Sequence, residues 1–165
     1  MNISNNDQFL MKPKNDYVFK RIFGNPKNSD LLISLLESIL NEKITSVEIL
    51  NSEIMKENIE AKKSILDIRA NIDKGVQVDI EIQLSRTIYM PARSLYYWSK
   101  MYGEQLLIGE KYKGLKKTIC ISIVDFDATK SNTYHSVYNL MERNQGYMLT
   151  DIMEIHFVEM TKLKK

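Results

Sequence analysis

Cysteine and histidine are nearly missing from this chain. Cys120 is the single cysteine among 165 residues, which excludes an intramolecular disulfide and a cysteine-built zinc site. Two histidines, His135 and His156, are too few for a His-rich metal centre. Proline stands only at Pro13, Pro26 and Pro91, each at an expected element edge. No repeat or low-complexity linker interrupts the chain, so one domain over residues 1–165 is expected. Long hydrophobic runs are absent too. The longest, Leu31 to Leu40, contains Ser34, Glu37 and Ser38 and is too short to span a bilayer. The start, Met1 to Gln8, lacks the basic and apolar regions of a secretion signal. Neither sign of charge dominates: 23 basic residues against 21 acidic ones leave +2, so charge alone does not mark a nucleic-acid binder. What is present is 44% hydrophobic and 27% charged residues, enough for a real core. A soluble intracellular protein is expected, with no membrane partner. Lysine far outnumbers arginine and Asn and Ile are abundant, a bias associated with AT-rich bacterial genomes, so a bacterial cytoplasm is the expected location.

Periodicity divides the chain into elements. Val18, Phe19, Ile22 and Phe23 share one face of a short helix that Asn15 or Asp16 can cap, and Gly24 suits a left-handed terminus before Asn25-Pro26. Leu31, Leu32, Leu35, Leu36, Ile39 and Leu40 form the stripe of a second helix, with Asn28 or Ser29 as cap. Ser46 to Ile54 reads as a strand, and Lys56 to Lys63 as a charged connection. Pro91 opens a long helix to about Leu107, with Leu95, Trp98, Met101, Tyr102 and Gln105 on one side and Gly109 as its end. Thr118 to Val124 is an apolar, buried strand, so a β-helix-β crossover onto a parallel neighbour is expected. Tyr134 to Met141 and Ile152 to Met160 look like a further antiparallel pair around Asn144-Gln145-Gly146.

The most informative segment is Ser64 to Leu84. Leu66, Ile68, Ala70 and Ile72 alternate with polar neighbours, and so do Val76, Val78, Ile80, Ile82 and Leu84. Strict alternation on both sides of Asp73-Lys74-Gly75 predicts a β-hairpin with a left-handed Gly75. Its register opposes Asp67 to Glu81, Arg69 to Asp79 and Ile65 to Gln83. One face is then apolar, and the other carries Asp67, Arg69, Asp79, Glu81 and Gln83. Opposed carboxylates repel, with Cβ atoms about 5 Å apart. A hard divalent cation would reverse that sign. Any surface hairpin shows such alternation, however, and the pattern alone favours a wet face with Arg69 neutralising the acids.

Several stretches resemble a known family. Helix, strand, hairpin with Asp67 and then Glu81-Ile82-Gln83, helix and strand follow the order of the PD-(D/E)XK nuclease core. The likeness extends to its recombination-promoting nuclease and transposase branch, the Rpn family. It is carried by Asp16-Tyr17-Val18-Phe19-Lys20-Arg21-Ile22-Phe23-Gly24, Leu31 to Leu36, Ile80-Glu81-Ile82-Gln83, Arg93 through Tyr96-Tyr97, and Ile155-His156-Phe157 with Glu159. The resemblance implies an α/β fold with a restriction-endonuclease-like core, a mixed central β-sheet flanked by helices. It implies a metal-dependent DNA endonuclease using Mg²⁺, or Mn²⁺ in its place. Asp67 and Glu81 would be metal ligands, joined by the backbone carbonyl of Ile82. Gln83 stands where the wider superfamily usually has lysine. Glutamine orients water or phosphate by hydrogen bonds but supplies no charge and takes no proton. Lys20 is one candidate for the missing charge. Family members commonly continue into a C-terminal extension, so a short or truncated member is implied.

The remaining candidates have plainer readings beside them. Asp16 is an additional acid or a helix cap, and the cap is favoured. Glu37 reads as a solvated acid. Arg93, Tyr97 and Lys100, at i, i+4 and i+7, either contact a DNA backbone or form the polar face that any such helix needs. Lys111, Lys113, Lys116 and Lys117 read as a solvated loop in preference to a phosphate site. Trp98 and its tyrosine neighbours read as core, His135 and His156 as structural, and Cys120 as an inert buried thiol. A catalytically weak or inactive DNA-binding or protein-interaction module on the same scaffold is the alternative function. A homodimer is expected if both strands of a duplex are cut.

Overall fold

Alternation and helical spacing claim the apolar residues in turn along the chain, and the computed structural model describes the outcome over residues 16–50 and 68–163. The helix α1 (Asp16–Phe23) is followed by a single 3-10 turn (Pro26–Asn28) and by α2 (Ser29–Leu40). Asn25 caps the turn, its Oδ1 accepting the Lys27 N–H at 3.0 Å. Gly24 does not take the expected left-handed conformation. A Cβ there would meet the Lys20 carbonyl oxygen at 2.7 Å, so close approach is what requires glycine. Asn28 precedes α2 without capping it; its amide donates instead to the Ile22 carbonyl at 3.0 Å and ties the two helices together. Leu32 and Leu36 are fully buried at the centre of the α2 stripe, while Leu31 lies on its exposed flank. Glu37 is not simply solvated. Its carboxylate accepts the Ile44 N–H at 3.0 Å and pairs with Lys43 at 3.1 Å, and these two interactions lower its pKa.

The strands are β1 (Val47–Leu50), β2 (Ile68–Ile72), β3 (Val76–Gln83), β4 (Thr118–Val124), β5 (His135–Tyr138) and β6 (Met153–Glu159), and α3 (Met90–Gly103) lies between β3 and β4. They form one mixed sheet in the order β1-β2-β3-β4-β6-β5. The hairpin register is the expected one, with Arg69 opposite Asp79 and Ile72 opposite Val76. Gly75 is left-handed at φ 78°, and Lys74 joins it at φ 61°. The crossover through α3 sets β3 and β4 parallel, and β6 continues the parallel set. All seven residues of β4 are buried, as a strand covered on both faces must be.

Two apolar layers flank the sheet. Phe19, Leu32 and Leu36 pack with Ala70, Val78, Ile80, Ile82, Ile119, Ile121 and Ile123 on one face. Met90 packs with Cys120, Val124, Met153, Ile155 and Phe157 on the other. The helix α3 ends at Gly103, sooner than the expected Leu107, and Leu107 and Ile108 are exposed beyond it. Its buried positions are Met90, Ser94 and Met101, whereas Leu95 sits on the solvent flank. No described helix is long and apolar enough to cross a membrane.

Asp73 locks the hairpin turn to the entry of β1. Its carboxylate accepts the backbone N–H groups of Thr45 and Ser46 at 2.8 Å each, and both hydroxyls at 2.8 and 2.7 Å. The Thr45 N–H, followed by the Ser46 and Thr45 hydroxyls, lowers its pKa from 3.8 to about 2. The stabilisation therefore holds in full above the unfolded value and disappears as pH falls through the folded one. Thermal melts should show Asp73→Asn less stable than the parent at neutral pH, the difference closing toward about pH 2. A gap independent of pH would contradict this account. In the core, Leu36→Ala should cost about 2–5 kcal/mol in denaturant unfolding.

Candidate active site

Because β3 alternates, Val78, Ile80 and Ile82 enter the α1 and α2 layer, while Gln77, Asp79, Glu81 and Gln83 face α3. The wet-face reading fails here. Asp79 is 0% exposed and Glu81 1%, because α3 and β4 cover the acidic side of the hairpin. Burying a carboxylate costs several kcal/mol unless charge or hydrogen bonds compensate. The Cys120 thiol donates to Asp79 Oδ2 at 3.4 Å. Arg93, in the first turn of α3, brings its Nη2 to 3.1 Å from Glu81 Oε2. Its Nη1 donates to Gln83 Oε1 at 3.1 Å, and its Nε donates to the Tyr97 hydroxyl at 3.2 Å. The guanidinium also lies 5.3 Å from the Tyr97 ring centroid, within cation–π range. Gln83 completes its own amide by donating Nε2–H to the Ser85 carbonyl at 3.0 Å.

Arg69 does not neutralise the acids in the way the hairpin pattern suggested. Its guanidinium turns to Glu104, just past the end of α3, at 2.9 Å. Arg93 supplies the cation beside Glu81. Two pKa shifts report this environment. Burial, and then the charge of Glu81, push the Tyr97 hydroxyl up, with Arg93 opposing. Burial first, and then Asp79 and Glu81, push the Cys120 thiol well up, which favours its protonated form.

The expected site residues fall out as follows. Glu81, Gln83, Arg93 and Tyr97 come together on one face. Ile82 lies in the ladder opposite Ile123. Lys100 is on the same helix as Arg93, seven residues or about 10 Å further along the axis. Lys20 lies on α1, which packs against β3 from the face opposite α3. Asp16 is the first residue of α1, and its side chain lies outside the described residues, as does all of Asp67. Residues 51–54 of the expected strand, the Lys56–Lys63 connection and the Ser64 end of the hairpin also lie outside them. The basic run of Lys111 to Lys117 leads into the start of β4, beside Gln77. That is the far end of β3 from Gln83, about 20 Å away at strand rise. Lys117 is already paired with Glu154 at 2.6 Å.

The sequence left Arg93 open between a DNA backbone contact and the polar face of its helix, and did not show its contact with Glu81. The signal was the spacing: ten residues after Gln83, in the first turn of the crossover helix, with Tyr97 one turn on. It also missed a cluster on the other face of the sheet. His156 Nε2 is 3.1 Å from Glu154 Oε2, and its Nδ1 is 3.0 Å from His135 Nε2. A carboxylate only accepts, so Nε2 of His156 carries a proton. The two histidines, expected to be structural, link the edge strand β5 to β6 through this contact. Glu159 is structural too: it accepts from the Ala128 and Thr129 N–H groups at 2.6 and 3.0 Å and pairs with Lys162 at 2.6 Å.

Among the described residues, no group of three or more His, Cys, Asp or Glu side chains converges as a metal cluster. The Glu81 carboxylate at the site is a hard oxygen donor. That chemistry fits Mg²⁺ or Mn²⁺ and not a soft-ligand metal.

A family model described as PD-(D/E)XK nuclease family transposase matches residues 13–165. No curated protein and no solved structure matches the chain.

The burial of Cys120 has a direct chemical readout. Ellman's reagent should leave it unmodified in the native protein and titrate one thiol after unfolding in guanidinium. Rapid modification of the native protein would show that the Asp79 side of the site is open.

Proposed function

Because this chain belongs to the PD-(D/E)XK nuclease family transposases, we propose that it is a metal-dependent endonuclease that hydrolyses DNA phosphodiester bonds. The observation that carries this reading is the burial of Glu81 beside Gln83 and Arg93 on the α3 face of β3. Mg²⁺ is the proposed ion and Mn²⁺ its substitute. Such an ion supplies Lewis acidity at neutral pH, activating water and offsetting charge on the phosphate. Glu81 is its carboxylate ligand, and the Ile82 carbonyl is the neighbouring donor. Asp67 is the second carboxylate, a role resting on the sequence register and the family resemblance, since Asp67 lies outside the described residues. Gln83 orients the phosphate or the attacking water through its amide and accepts no proton. Cleavage of both strands by this one small site calls for two copies, so a homodimer belongs to the proposal, as does a role in the bacterial cytoplasm.

Glutamine in the place of lysine favours a second reading, a scaffold that binds DNA without cutting it. The two separate on supercoiled plasmid with Mg²⁺ or Mn²⁺. Cleavage is expected in the parent. Glu81→Gln and Asp67→Asn should lose more than the roughly 10–100-fold typical of groups that only support a metal ligand. Equal rates in all three proteins would overturn the assignment. Salt-sensitive DNA binding that survives Glu81→Gln, with no cleavage in the parent, would establish the second reading.

A further inference from the structure

The Glu81–Arg93 pair couples a buried group to a half-open one. The Glu81 side chain is 2% exposed, whereas that of Arg93 is 37% exposed. Approach to Glu81 on this side therefore passes the guanidinium. That guanidinium cannot lose its proton at any working pH, so the negative charge of Glu81 is balanced by a permanent cation. The same carboxylate is the one proposed to hold a divalent ion. A guanidinium 3.1 Å from Glu81 Oε2 and a divalent cation on that carboxylate repel each other strongly in a buried site.

Arg93 is also built to turn. Its stem is fixed on a helix, its Nε is held by the Tyr97 hydroxyl at 3.2 Å, and the Tyr97 ring lies beside the guanidinium. Only the outer nitrogens reach the β3 side chains, Nη2 to Glu81 and Nη1 to Gln83. The fork is planar and rigid, so rotation about the stem bonds swings Nη2 away from Glu81 together with the other two nitrogens. The Gln83 amide is oriented by this contact, its oxygen toward Arg93 and its nitrogen toward Ser85. Arg93 and Gln83 thus form one unit, and the positive charge that glutamine lacks stands on its neighbour.

Resting on the nuclease reading above, we propose that Arg93 is a competing cation at the metal site: it neutralises Glu81 when no divalent ion is bound, and yields that carboxylate to the ion and turns to the DNA phosphate when one arrives. In the second position its fork of N–H donors pairs with phosphate oxygens, as guanidinium groups do. It then carries the charge that a lysine at position 83 would have carried.

This assignment makes opposite demands on binding and on rate. Calorimetric titration of the full chain with Mn²⁺ alone, without DNA, should give a dissociation constant about 10-fold lower for Arg93→Gln than for the parent, because the competitor is gone. Plasmid cleavage by the same variant should be slower by about 10²–10³, the usual loss for one charge-stabilising donor. Adding Gln83→Lys to Arg93→Gln should recover much of the rate, whereas Gln83→Lys alone should not exceed the parent, since two cations then crowd Glu81. Unchanged or weaker Mn²⁺ binding by Arg93→Gln, or cleavage at the parent rate, would overturn the proposal. If melting shows that Arg93→Gln does not fold, Arg93→Lys takes its place. It should keep the parent Mn²⁺ affinity but cut more slowly, having lost the fork, and an undiminished rate there is equally fatal. A parent protein that neither takes up Mn²⁺ nor cleaves DNA removes the nuclease reading itself, which is a different outcome from parent cleavage with an indifferent Arg93.

Discussion

Glu81 can lie inside this protein because Arg93 reaches it from the opposite layer, and much of the architecture around the site serves that contact. A carboxylate in the middle of a buried strand needs a cation or a set of donors close by. The β3–α3–β4 crossover supplies one. It lays α3 across the acidic face of β3 and sets β4 parallel beside it, so the first turn of the helix comes over Gln83 and Glu81. Below the pair, the Ser94 and Ser122 hydroxyls meet at 2.8 Å, and the Trp98 indole donates to the Thr118 carbonyl at 2.8 Å. These contacts hold the helix at the height where an arginine side chain spans the gap.

Asp73, Glu154 and Glu159 are held differently. Asp73 and Glu159 are each met by several backbone and hydroxyl donors, and Glu154 by His156 and Lys117. Those acids tie the turn of the hairpin, the β4–β5 connection and the β5 edge into the sheet. Each is held by short bonds with little room for exchange. Among the contacts of Glu81 is the tip of the long Arg93 side chain, which is itself over a third exposed. On the proposal made above, a carboxylate reached by an exposed guanidinium can pass to another cation, whereas one held by a nest of N–H groups is committed to the fold.

Much of this was legible in the chain. Alternation on both sides of Asp73-Lys74-Gly75 sets the hairpin register, because a one-residue slip would turn Val78, Ile80 and Ile82 away from the core. The leucine stripe of α2 and the uninterrupted apolar run of β4 were equally plain. Less was visible where geometry depends on the partner. Gly24 is glycine because a carbonyl approaches it, and Glu37 is an acid because a loop N–H seven residues on comes back to it. The helix α3 stops at Gly103, and its buried side is chosen by the sheet beneath it rather than by its apolar residues, which is why Leu95 faces outward.

The sequence by itself therefore determined the elements, the hairpin register and the fact that Asp79, Glu81 and Gln83 share a face, since period two is a local property of any strand. It could not decide whether that face is wet. Only the tertiary structure did so, by placing α3 over it, and the same placement chose Arg93 as the partner of Glu81 over Arg69, which is nearer in the ladder but turns to Glu104. Likewise, His135 and His156 are distant in sequence and become neighbours only when β5 returns along β6. The physical reason is the same in each case. Alternation is set by bonds along the chain, whereas the partner of a buried charge is set by which layer is packed across it.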